Sequence, residues 1–130
     1  MRTYFGVGII IVYVLLLGFL SLNPWVRPDS HQFIGVITWD LLDHAAAYGL
    51  LSILILSLTK RLEWKFVIIL PAVLVSSVLG IILEFAQLWF TSTRSFSWYD
   101  AYSNIFGAVI GAIVYWYIYR GICMRKHGLG

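Results

Sequence analysis

The fold is decided by residues 66–111, where FVIILPAVLVSSVLGIILEFAQLWF (66–90) runs through TSTRSFSWY (91–99) into DAYSNIFGAVIG (100–111). Two long apolar runs flank a short polar loop, and Glu84, Gln87, Arg94, Asp100 and Asn104 sit in or beside them. A carboxylate inside an apolar run costs a few kcal/mol on insertion scales, so a chain that keeps one usually has a use for it. The remaining apolar segments read as walls around this cluster. One of them, opening Asp40-Leu-Leu-Asp43-His44-Ala-Ala-Ala-Tyr48, brings matching polar groups.

Composition supports a membrane reading. Of 130 residues, 61% are hydrophobic and only 12% charged, with a mean hydropathy of +0.87. That is too little charge to coat a soluble globule. The expected architecture is all-α, a single integral membrane bundle of four transmembrane helices. The net charge of +3 and pI near 9.2 come from short basic clusters beside apolar runs, which fits membrane orientation and excludes nucleic-acid binding. The lone Cys123 rules out an internal disulfide. There is no Cys/His metal signature and no Gly-rich phosphate loop, so no metal or cofactor is assigned.

Residues 4–22 form an uninterrupted apolar run near the roughly 20 residues a span needs. Ser21-Leu22-Asn23-Pro24 is a poor cleavage site, which favours a retained helix over a signal peptide. Residues 23–39 carry Pro24 and Pro28, which oppose a helix, while Trp25, Phe33 and Trp39 suit a loop at the membrane interface. A second helix is expected over 41–59 with Asp40 as its N-cap, then a basic turn over 60–65. The third helix spans 66–90 with Pro71 near its start. The fourth spans 100–119 with Asp100 as its cap, and 120–130 reads as a frayed basic tail.

Orientation follows from the cations. With four spans, Arg2, Lys60, Arg61, Lys65, Arg120, Arg125 and Lys126 share one side, and Arg27 and Arg94 the other. Seven against two predicts both termini in the cytoplasm. Asp29, Asp40, Asp43, Glu84 and Asp100 then fall at the extracytoplasmic side. A faint repeat at a spacing of 60 aligns Asp40 with Asp100, His44 with Asn104 and Lys60 with Arg120, as two related hairpins would.

Depth and facing allow the polar groups to meet. At about 1.5 Å per residue, His44 and Asn104 lie roughly 6 Å, and Glu84 roughly 9 Å, below the outer ends of their helices. Asp40, His44 and Tyr48 fall on one stripe, as do Gly80, Glu84 and Gln87, and Asp100, Asn104, Gly107 and Gly111. Gly107-Ala-Val-Ile-Gly111 is a small-xxx-small pattern for close helix packing.

The pattern Asp40-x3-His44-x3-Tyr48, then Glu84-x2-Gln87-x6-Arg94-x5-Asp100-x3-Asn104-x2-Gly107-x3-Gly111, resembles the VanZ-like family of small bacterial membrane proteins over residues 39–112. It departs from that family at Leu41, where a lysine often follows the aspartate. The resemblance implies a multi-pass protein of the bacterial cytoplasmic membrane linked to the cell envelope. The family is named for a member associated with resistance to the glycopeptide antibiotic teicoplanin.

Each candidate residue carries a functional and a structural reading. Glu84 is either a functional intramembrane acid or a neutral carboxyl fixing helix register. His44 is a base, a phosphate contact or a metal ligand, or else a partner for a neighbouring carboxylate. Arg94 clamps a phosphate or carboxylate, or pairs with Glu84 or Asp100. Asp40 and Asp100 are caps or site residues, Gln87 and Asn104 network partners, and Tyr48 interfacial or functional. Asp43 lies off the shared stripe, and His31, His127 and Cys123 read as incidental.

Three functions remain open. The binding set Asp40, His44, Tyr48, Glu84, Gln87, Arg94, Asp100 and Asn104 can engage a membrane lipid, a lipid-linked envelope precursor or a glycopeptide antibiotic. Alternatively, His44 and Glu84 act as base and acid of a membrane enzyme on a lipid-linked phosphate or ester, with Mg²⁺ or Mn²⁺ on Asp40, Glu84 and Asp100. Ser97, Ser103 and Thr93 are the nearby hydroxyls for such chemistry. In the third reading the chain is a structural partner of another membrane protein or of its own copies, through the Gly107 and Gly111 face. A proton-coupled transporter is weaker, since four spans leave little room for alternating access.

Overall fold

With no water in the hydrocarbon core, each spanning segment must satisfy its own backbone, and a helix does so. In a computed structural model the four apolar runs are helices: α1 (Arg2–Leu22), α2 (Trp39–Leu58), α3 (Phe66–Phe90) and α4 (Trp98–Lys126). All four are long and apolar enough to cross a membrane. The structure describes residues 2–23, 32–34, 37–58, 66–90 and 96–126. The 60–65 turn, Pro24, Trp25, Pro28, His31, Thr93, Arg94 and His127 lie outside them.

Helix starts differ from expectation in an informative way. Leu41 N–H donates to Thr38 Oγ1 at 3.3 Å, and Asp100 N–H donates to Ser97 Oγ at 3.3 Å. Thr38 and Ser97 are therefore the N-caps, and Asp40 and Asp100 sit inside the first turns of α2 and α4. A hydroxyl two or three positions earlier reaches the orphan N–H in each case, which leaves both carboxylates to other partners. They still gain from the positive end of the helix dipole.

Two further differences concern loops. Within the expected 23–39 loop, Gln32–Ile34 (β1) and Ile37–Thr38 (β2) form a short antiparallel ribbon pairing Gln32 with Thr38 and Ile34 with Ile37. The β-branched Ile34, Ile37 and Thr38 favour that extended backbone. Residues 120–126, expected to fray, continue α4 to Lys126.

Helices α2 and α4 run parallel and α3 runs against them. His44 meets Asn104 near the starts of α2 and α4, and Leu56 meets Ala72 and Ala112 at the other end. Glycines set the α2–α4 spacing. An added Cβ on Gly111 would lie 2.7 Å from the carbonyl carbon and Cα of Gly49, and one on Gly107 would run into the Ala45 backbone. In a bilayer such close backbone approach replaces the hydrophobic drive that water gives soluble bundles. Pro71 falls within α3, which is continuous through it.

Helix α1 lies at the side of this three-helix body. Leu17 packs on Tyr48 and Leu51, and Tyr13 OH donates to Ala47 O at 2.9 Å. The rings of Phe85, Phe96, Trp98 and Tyr102 form a chain of contacts at the end where α4 begins. Trp116 and Tyr117 meet near its other end. Aromatic residues at both ends of a span match the two interfacial belts of a membrane protein.

Candidate functional site

The starts of α2 and α4 and the last turns of α3 converge on His44, which is 5% exposed. Its Nδ1 lies 2.9 Å from Asn104 Oδ1 and 3.7 Å from Glu84 Oε1, and its Nε2 lies 3.8 Å from Asp40 Oδ1. Asp100 joins the group: Asp40, His44 and Asp100 each offer a ligand atom, all within 4.8 Å of one another. Glu84 and Asn104 are 1% and 0% exposed, while Asp40 and Asp100 are half-buried. The site is thus a pocket with a buried floor and an acidic rim.

The floor is built by small residues. Gly80 makes room for Asn104, since a Cβ there would lie 2.8 Å from Asn104 Cβ and Nδ2. Tyr48, one turn below His44, stacks on it with ring planes 9° apart and centroids separated by 6.4 Å. Tyr48 is also part of the apolar core, so it closes the pocket from beneath. Asp43 is exposed and points off the stripe.

The structure therefore brings together Asp40, His44, Tyr48, Glu84, Asp100 and Asn104 from the expected set. Gln87 has a different partner: its Nε2 donates to Ser21 Oγ at 2.5 Å, tying α1 to the bundle. Arg94 lies outside the described residues. Gly107 and Gly111 pack against Ala45 and Gly49 of α2 within the chain. Gly49 and Ser21 carry no expected contact in the sequence, and Gly80 is expected only on the stripe of Glu84. Gly49 had a readable signal, since Ala45 and Gly49 stand four apart in the same helix as a small-xxx-small pair.

Hydroxyl chemistry is constrained. Ser97 Oγ caps α4, and Ser103 Oγ donates to Leu41 O across the α2–α4 seam. Both candidate nucleophiles among the described residues already have structural work. Deeper in the bundle, Ser52, Ser76 and Ser77 are buried. An apolar crevice between Leu42, Ala45, Tyr102 and Phe106 opens beside the α2–α4 seam.

Fold and site together define a small multi-pass membrane protein with a polar pocket at one end of a glycine-packed bundle. Residues 6–120 match the VanZ/LLP1 family, which is most of the chain, and the protein belongs to that family. No curated protein and no solved structure matches it.

Proposed function

We propose that the protein holds the polar end of an envelope amphiphile, a lipid or a lipid-linked precursor, in the pocket around His44. The supporting observation is that a buried histidine is ringed by Asp40, Glu84, Asp100 and Asn104 at the end of the bundle where the aromatic rings gather. Headgroups lie at that depth, so a ligand reaches the pocket while its chains stay in lipid. The excess of Lys and Arg on the opposite side supports placing this end outside the bacterial cytoplasmic membrane, with both termini inside. A glycopeptide antibiotic of the teicoplanin type is the competing ligand.

Native mass spectrometry of protein extracted from its membrane tests this. Wild type is expected to carry a bound lipid or precursor that Glu84→Gln and Arg94→Ala both lose. Equal occupancy in all three proteins, or an empty wild type of full stability, would end the reading.

A second reading, hydrolysis of a lipid-linked phosphate or ester, rests on the His44–Glu84 approach at 3.7 Å. Because Ser97 and Ser103 are engaged, the nucleophile there would be a water activated by His44.

A further inference from the structure

Three carboxyl groups, Asp40, Glu84 and Asp100, surround one histidine in the pocket. The tautomer of that histidine follows from its neighbours. Asn104 Oδ1 only accepts, so at 2.9 Å it takes the proton of His44 Nδ1. Glu84 Oε1 lies on the same edge of the ring and favours the same arrangement. In the neutral imidazole the lone pair is then on Nε2, which faces Asp40 Oδ1 at 3.8 Å with Asp100 close by. A His44 ring nitrogen and one carboxylate oxygen from each aspartate lie within 4.8 Å of one another, a grouping that one cation can span.

We propose that Asp40, His44 and Asp100 form a three-ligand site for a divalent transition-metal ion. Asn104 serves as the positioning residue, since a metal-bound histidine almost always donates its other N–H to an oxygen. Two donors sharing one ion at about 2.1 Å lie roughly 3.0–3.5 Å apart. The present 3.8 Å separation, and the 4.8 Å limit on the group, close to that by rotating the half-buried Asp40 and Asp100 side chains about 1 Å. Glu84 is not a ligand, because it faces the proton-bearing edge of the ring. One imidazole nitrogen with two carboxylate oxygens suits Mn²⁺ or Zn²⁺ better than Ca²⁺ or Mg²⁺, which prefer oxygen alone. The buried floor holds the histidine in place, and the open rim leaves coordination positions for water or a phosphate oxygen.

The inference deepens the reading of this pocket as a headgroup site, and rests on it: an ion there adds positive charge for a phosphate oxygen. Its test uses no lipid, so the two can fail separately. Full-length protein in detergent, stripped with chelator, is titrated with Mn²⁺ and followed by electron paramagnetic resonance. The expected result is one Mn²⁺ per chain, displaced by Zn²⁺, with a histidine nitrogen coupled to the bound ion. Asp40→Asn and Asp100→Asn should each weaken binding by at least about tenfold. The exposed Asp43→Asn should leave it unchanged. Absence of binding up to millimolar Mn²⁺ in folded wild type overturns the proposal. So does binding without nitrogen coupling, or binding indifferent to both aspartate variants. Metal bound with no lipid co-purified would leave the metal site standing and remove only the headgroup reading.

Discussion

Replacing Gly111 by alanine tests whether glycine contact between α2 and α4 holds the site together. The new Cβ would sit 2.7 Å from the carbonyl carbon and Cα of Gly49, against about 3.4 Å for ordinary contact. The Gly49 carbonyl oxygen lies closer still, and none of these atoms belongs to a side chain that can swing away, so the helices must separate by at least roughly 0.7 Å. Overpacking of this kind costs about 1–3 kcal/mol. If the separation carries along the rigid helices, the 2.9 Å His44–Asn104 bond opens to roughly 3.6 Å, beyond hydrogen-bonding range. That loss adds about 1 kcal/mol. The expected total is about 2–4 kcal/mol, read from unfolding of the purified protein in mixed micelles as the fraction of denaturing detergent rises. Gly8→Ala and Gly18→Ala are the controls. An added Cβ at either meets nothing within 4 Å, so both should be neutral or gain up to about 1 kcal/mol from reduced backbone freedom. A Gly111→Ala protein within about 0.5 kcal/mol of wild type would refute the reasoning, because the contact would then tolerate a methyl group.

Two further outcomes are expected. Thr38→Ala and Ser97→Ala should each cost about 1 kcal/mol of stability as lost caps, more than Asp40→Asn or Asp100→Asn; the reverse order would return the capping role to the aspartates. The single Cys123 makes orientation testable without engineering: a membrane-impermeant maleimide should label it only after cells are permeabilised, and labelling in intact cells would invert the topology.

Much of the site was readable because a helix converts spacing into facing. Asp40, His44 and Tyr48 step by four, as do Gly80 and Glu84, so each stripe could be written down before any packing was known. The positions aligned at a spacing of 60, read as a repeat of two hairpins and not as contacts, lie together in the pocket, His44 with Asn104 and Asp40 near Asp100. The caps were misread because aspartate and hydroxyl side chains are both good N-caps. Which of them takes the role depends on where the chain turns, and at α2 that turn follows a β-ribbon that composition does not announce. Gln87 was placed with the pocket because its stripe includes Glu84. One further turn along α3 brings it level with Ser21 of α1, and a helix with no strong polar signal supplied the partner.

What the sequence determined by itself was the number of spans, their approximate limits and the face of each that carries polar groups. These depend on apolar length and on the period of the helix, both local properties. The tertiary structure decided which faces meet and how closely. Parallel α2 and α4 come together only because Gly49, Gly107 and Gly111 let two backbones touch. That contact, and the space Gly80 leaves for Asn104, turn three separate stripes into one pocket around His44. Closeness between helices far apart in the chain is a property of packing, and no single segment encodes it.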